Sequence, residues 1–519
     1  MGIKLNRDET SFRNELIFTA DAKAVNIDNT LVNLYMLLKH NGIRPKQRSG
    51  EKNNSFVDLE TLKVVFSKLE EEGAITGFSS NPEAAELWMR SNLVNMVYRG
   101  NLDKEKISSL RPIHLESYRV RNAANTRDYN TADQVYLMLN ANPAVREELK
   151  QFLMEGWNQA TGEITAGSEL DVDSLGLLHI IKKVKQGFLD SSSSLNQIRP
   201  LLHELSELYC DDVKRLLVYK RLIPRNVLID YFKTLTSFHL SIYMQKLIYT
   251  LPQMVESGSD AARADWNIVV DATDNFESKV ARISAGDAEA LSNNMYDYIK
   301  STFQINAALR RLKLDKNNSD HLAKALRILK DKPQDFEIYF ETQWDNLYNI
   351  LNEEDKAPIN DIVKYEATYF DRYIELILKA RSAYQFRYHM QLLDNLSQKN
   401  NERGFIAQGR SRKHPRRYVM GTRLLETLVQ ILVLEPDGAG FQTKVLAIED
   451  LIQKIRERYG LIINGLSEER FKDANLNTHL AFKENVEAFK LKLRQIGFYN
   501  DLSDAYILQR IRPRYELNA

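Results

Sequence analysis

Apolar side chains along this chain return every three or four residues over long stretches, the period of amphipathic helices. The run Phe336, Phe340, Trp344, Leu347 and Leu351, with Gln343 among them, predicts one such helix. Val57 to Glu72 predicts another, started by Asp58 or Ser55 and stopped at Gly73. Only 21 glycines and 12 prolines interrupt 519 residues, too few to punctuate many short strands. The fold class expected is therefore mainly α, and a chain of this length exceeds one ordinary core, so several domains are expected.

Breaks in the pattern divide the chain. Residues 1–160 read as an N-terminal helical domain, with Gly156, Gly162 and Gly167 marking its end. Residues 171–398 read as a central helical bundle, with turns expected at Asp190–Ser194, Ile223–Pro224, Gly258, Gly286, Asn317–Asp320 and Asp331–Pro333. No fixed repeat emerges, which favours a bundle over a solenoid. Its dense aromatics, Tyr365, Tyr369, Phe370, Tyr373, Tyr384, Phe386 and Tyr388, are expected in the core. Apolar periodicity stops over residues 399–417, read as a basic linker, and resumes over 418–519.

That last segment has the sharpest pattern. Leu424 to Leu432 marks a core helix, and Ile448 to Tyr459 a second that ends at Gly460. Phe482, Val486, Phe489, Leu493 and Ile496 form the stripe of a third, terminated by Gly497. An Asn/Asp/Ser turn then separates two short β-prone runs ending at Tyr515. Three helices followed by a hairpin resemble a winged helix over residues 418–515, although the 460–480 insertion is longer than such domains carry. In that resemblance the third helix reads nucleic acid, and Lys483, Lys490 and Arg494 lie opposite its apolar stripe. The bland alternative is a solvated charged face or a protein-binding surface. A period of two puts Arg510, Arg512 and Arg514 on one strand face and Ile507 and Ile511 on the other. Such a row serves phosphates or guards an edge strand against association.

Charge sharpens the picture only locally. Lys and Arg number 71 against 70 Asp and Glu, so the whole chain is no polycation. The stretch Arg403, Arg410, Arg412, Lys413, Arg416 and Arg417, however, contains no acidic residue from 403 to 425. Such a run binds phosphates in a salt-dependent way, with Phe405 or Tyr418 available to stack on bases. An acidic protein partner or a solvated linker are the competing readings.

Catalytic chemistry finds little support. Ile268–Asp271 and Asp274–Phe276 resemble the aspartate-bearing strand end of ubiquitin-activating-type adenylating enzymes, but the Gly-rich nucleotide turn those enzymes need is missing. A buried strand that starts the next helix is the expectation. Asp271, Asp274 and Glu277 suit a cryptic metal-dependent nuclease only formally. The nine histidines are scattered singly, so no zinc site is expected, and no cofactor is implied. Cys210, the single cysteine, lies at helical spacing from Leu205 and Leu208 and is expected to be an inert core thiol in a reducing compartment. With no apolar run of membrane-spanning length and no signal pattern at Met1, a cytoplasmic protein without membrane contact is expected.

The basic and aromatic stretch Arg111-Pro-Ile-His114-Leu-Glu-Ser-Tyr118-Arg119-Val-Arg121-Asn122, taken with the Arg-rich C-terminus, resembles accessory subunits of bacterial phage-defence operons linked to DNA methylation or phosphorothioation. The resemblance implies a subunit working beside a methyltransferase, nuclease or ATPase. The leading reading is a non-enzymatic DNA-binding or adaptor subunit, with nucleic acid and other subunits as partners. A pure protein scaffold is the alternative, and the nuclease ranks third.

Overall fold

The computed structural model describes residues 5–47, 57–97, 105–165, 167, 170–184, 187–189, 194–411, 413–438, 440–499 and 510–517. Within these it is mainly helical. In chain order the helices are α1 (Arg7–Thr10), α2 (Ile27–Lys39), α3 (Leu59–Glu71), α4 (Pro82–Trp88), α5 (Thr131–Leu139), α6 (Pro143–Met154), α7 (Val172–Lys183), α8 (His203–Leu217) and α9 (Arg225–Ser257). They continue as α10 (Lys279–Arg311), α11 (Asp320–Asp331), α12 (Gln334–Ile350), α13 (Glu353–Tyr365), α14 (Tyr369–Leu396), α15 (Thr422–Leu432), α16 (Ile448–Tyr459) and α17 (Leu476–Gln495). The strands among the described residues are short and pair two by two.

The pattern-based helices form where expected. Asp58 caps α3 by accepting from the Thr61 amide at 2.8 Å, and Gly73 beyond its end takes φ +73°. Phe336, Phe340, Trp344 and Leu347 are the buried residues of α12. Gly286 is different: it lies inside α10 instead of turning the chain. One helical glycine costs about 1 kcal/mol relative to alanine, less than the burial of Val280, Leu291, Met295 and Ile299 around it supplies. The expected turn at Asp190–Ser194 falls largely outside the described residues.

The described residues divide into two compact units. The smaller comprises Val25–Asn196 and His203–Thr236; the larger comprises Met1–Ala24, Gln197–Leu202 and Ser237–Ala519. In the smaller unit α2 is buried almost all round, as a central helix must be, and packs on α5 and the 3₁₀ turn Leu115–Arg119. Asn122–Thr131 is partly an interior plug. Asn122 Nδ2 donates to the Val57 and Ile107 carbonyls at 2.9 and 2.7 Å, and Asn33 Nδ2 reaches the Thr126 carbonyl at 2.9 Å. Arg44 clamps it with paired bonds to Asp128 at 2.8 and 2.9 Å and two more to Asp133 Oδ1 at 3.2 and 2.6 Å. Much of the Arg111–Asn122 stretch is interior too, including Ile113, His114, Tyr118 and Arg121. Cys210 is the core thiol expected: 1% exposed, bonded to the Met138 carbonyl, and pushed up to about 12 by burial.

The larger unit is organised by α10 and α14, which pack on each other and on α11, α12 and α17. Phe370 and Tyr373 enter its core, whereas Tyr365 is 84% exposed and Tyr384 41%, so the aromatic run is only partly interior.

Each unit contains a buried histidine whose proton affinity burial lowers. Burial, reinforced by the Arg225 charge, pushes His114 down to about 3, and burial pushes His389 down to about 4. An unfolded histidine takes its proton near pH 6.5, so below that pH the unfolded chain binds more protons than the folded one. Stability is whole above about pH 6.5 and is lost as pH falls toward those lower values. Urea midpoints at pH 7.5 and 4.5 are expected to drop less for His389→Phe than for the wild type; equal drops would contradict this.

Candidate nucleic-acid interface

The basic stretch is a hairpin. Ile406–Ala407 pairs antiparallel with Arg417–Tyr418, in register Ile406 to Tyr418 and Ala407 to Arg417. Between the strands, Gly409 N–H donates to the His414 carbonyl at 3.1 Å and His414 N–H to that of Ser411 at 2.9 Å, closing the tip on itself. Arg410 and Lys413 stand exposed there. Arg412 lies outside the described residues.

The root is fixed by its remaining cations. Arg417, 8% exposed, donates from Nε to Oδ2 of the fully buried Asp271 at 2.8 Å. Arg416 pairs with Asp394 at the end of α14, which Lys399 also meets. The Ser284 hydroxyl donates to the Tyr418 carbonyl at 3.1 Å and accepts from the Tyr418 amide at 2.8 Å. Arg403 is half-buried beside the first strand. Stacking on bases by Phe405 or Tyr418 is overturned. They are 1% and 0% exposed and pack on each other at 5.3 Å between ring centroids, because their apolar surface anchors the root.

The turn after Ile268–Val269 links this hairpin to α17. Asp271 holds Arg417, the Phe276 ring meets that of His414 at 3.8 Å, and Asp274 pairs with Lys492 of α17 at 3.0 Å. Ile268–Val269 itself lies parallel to Leu461–Ile462. Asn485, fully buried on α17, ties the two together: its Oδ1 accepts from Ala272 N–H at 2.8 Å, and its Nδ2 donates to the Val270 and Ile463 carbonyls at 2.9 Å each. This is the buried strand leading into a helix that the sequence implied, with Ser278 capping α10.

The three C-terminal helices appear at α15, α16 and α17, with Phe482, Phe489 and Leu493 buried along α17. Lys483 and Arg494 are exposed, while Lys490 is half-buried and pairs with Glu487 at 2.9 Å. The strands are arranged differently from the expectation. A hairpin, Leu434–Asp437 with Gly440–Thr443, stands between α15 and α16. Arg510–Ile511 pairs with Leu446–Ala447 ahead of α16, and the expected turn, with Ile507, lies outside the described residues. Arg510 and Arg512 are exposed and Ile511 is buried, the alternation expected. Arg514 is drawn into an ion pair with Glu426 of α15 and donates to the Ile496 carbonyl at 2.8 Å. Arg510 is thus held on the Leu446–Ala447 strand, Arg512 through its amide on the Phe498 carbonyl at 3.0 Å, and Arg514 on α15.

For the nuclease arrangement the geometry is unfavourable. Asp271 is fully buried, its Oδ1 accepting from Thr273 N–H at 2.9 Å and Oγ1 at 2.6 Å and its Oδ2 from Arg417, so it shares no open face with Asp274 and Glu277. Among the described residues no group of three or more His, Cys, Asp or Glu is placed to hold a metal ion, and no helix is long and apolar enough to cross a membrane.

Fold and site together define a mainly helical protein that presents a cation-tipped hairpin on a buried ionic root. A model of the methylation-associated defense system protein MAD7 matches residues 7–515, and the chain belongs to that family. The phage-defence relationship linked to methylation that the sequence resembled holds at the level of the family. No curated protein matches the chain significantly.

Proposed function

We propose that this chain is a non-enzymatic DNA-binding or adaptor subunit of a methylation-associated defence assembly, and that the tip of the basic hairpin is its phosphate contact. The observation that carries the reading is the division of labour within one cationic stretch. Arg416 and Arg417 are consumed in fixing the root, whereas Arg410 and Lys413 are held out at a closed tip. Preorganised cations bind phosphate without the entropy loss of ordering a flexible linker. In the same reading α15–α17 act as a winged-helix-like unit, with Lys483 and Arg494 as secondary backbone contacts. A methyltransferase, ATPase or nuclease of the same system supplies the chemistry, and the assembly works in the cytoplasm.

A pure scaffold is the second reading, favoured by an apolar cleft of 520 Å³ in the smaller unit, where Phe66 stacks on Phe78 at 5.6 Å beside Trp88. Fluorescence anisotropy with duplex and single-stranded DNA separates the two. Arg410→Glu/Lys413→Glu is expected to weaken binding roughly tenfold or more at low salt, and Lys483→Glu/Arg494→Glu less. Negligible binding by the wild type, with a partner retained after nuclease treatment, would establish the scaffold instead.

A further inference from the structure

The larger unit also contains a cleft that shares no lining residue with the basic hairpin. The segment after α1 folds against α14 and leaves a cleft of 410 Å³ lined by Arg13, Asp21, Lys23, Arg381, Tyr384 and Gln385, among others. That volume falls within the range of about 300–1,000 Å³ usual for small-molecule sites. One wall is pinned from behind: Asn306 Nδ2 donates to the Ser11 and Phe12 carbonyls at 3.2 and 2.9 Å, and Asn14 Nδ2 donates to Asn306 Oδ1 at 2.8 Å. The other is tied by Lys23, whose ammonium donates to the Tyr384 hydroxyl at 2.6 Å and lies 4.3 Å from the Tyr388 ring centroid.

Three features of the lining define a ligand. Gln385 is only 7% exposed and lines the cleft. A glutamine amide on a cleft wall offers both a donor and an acceptor to a ligand that carries both. Next to it, Tyr384 is 41% exposed; the Tyr388 ring lies 4.4 Å and the Lys23 ammonium 5.2 Å from its centroid, and a planar group can meet the ring surface they leave. On the cationic side, Glu15 engages Arg13 at 3.0 Å, whereas Arg381 makes no ion pair among the described residues and is available to an anion. Nucleobase edge, base plane and phosphate are the three parts of a nucleotide.

We propose that this cleft binds a nucleotide phosphate, its base on Tyr384 and against Gln385 and its phosphate at Arg381. The chemistry is shared by a free nucleotide and by one residue of a single strand. It does not depend on the hairpin reading, since neither Arg410 nor Lys413 lines the cleft.

Calorimetric titration of the full chain with dAMP, and separately with a five-nucleotide single strand, tests this. Saturable binding of at least one probe is expected below millimolar concentration, weakened at least tenfold by Arg381→Glu and by Gln385→Leu and unchanged by Lys364→Glu on α13 outside the cleft. Preference for dAMP would assign a free nucleotide, and preference for the oligomer a strand. If Gln385→Leu fails to fold, the partly exposed Arg381 decides alone. Absence of binding by either probe at millimolar concentration, or binding that Arg381→Glu leaves intact, would overturn the proposal.

Discussion

Asn485→Leu is expected to destabilise the larger unit by about 3–5 kcal/mol, because it leaves three buried backbone groups without partners at about 1–3 kcal/mol each. Those groups are the Ala272 N–H and the Val270 and Ile463 carbonyls, and no water reaches a side chain that is fully buried. Leucine fits the volume but donates and accepts nothing, so hydrophobic gain offsets only part of the loss. Hydrogen exchange reads the effect where it acts: the Ala272 amide, which loses its acceptor, should exchange at least a hundredfold faster in the variant. The smaller unit should keep its protection, since Asn485 bonds to nothing in it. Unchanged exchange at Ala272 would show that the amide network is not what joins α17 to this strand.

The second large effect concerns the hairpin root. Arg417→Met is expected to cost about 3–5 kcal/mol, since it strands a buried carboxylate without its cation. Arg417→Met/Asp271→Asn should recover much of that loss, because asparagine is neutral and still accepts from Thr273 through Oδ1. The sign of the coupling separates a buried ion pair from a surface one, where both changes would sum to little. Denaturant midpoints of the two singles and the double measure it; additive losses would contradict the pairing. Loosening the root should also weaken DNA binding, although Arg417 itself does not face solvent.

How much of this was legible in the sequence depends on distance along the chain. Helices were legible because their apolar period is local, and so were their ends: Gly73, Gly460 and Gly497 stop α3, α16 and α17 in the left-handed conformation that glycine tolerates best. The pairing of Asp271 with Arg417, or of Ile268 with Leu461, joins segments well over a hundred residues apart and leaves no local periodic trace. Local signals also went unread. Asp437 closes the first strand after α15 opposite Gly440, and Gly438 follows it at φ +55°, an Asp–Gly pair typical of tight hairpins. Asn485 interrupts the apolar stripe between Phe482 and Phe489, the mark of a polar residue with a buried task. Within the basic stretch, Arg417 and Arg410 look alike as letters. Only the position of Asp271 decides that one is a structural cation and the other faces solvent, which is why residues 399–417 read as a linker and fold as a hairpin.

The salt dependence of DNA affinity tests the hairpin tip most directly. Each phosphate-bound cation removed should lower the slope of log K against log salt concentration by about one. Arg410→Ala/Lys413→Ala is therefore predicted to reduce the slope by about two relative to the wild type, with the fold unchanged. Equal slopes for wild type and variant would contradict a phosphate contact at this tip.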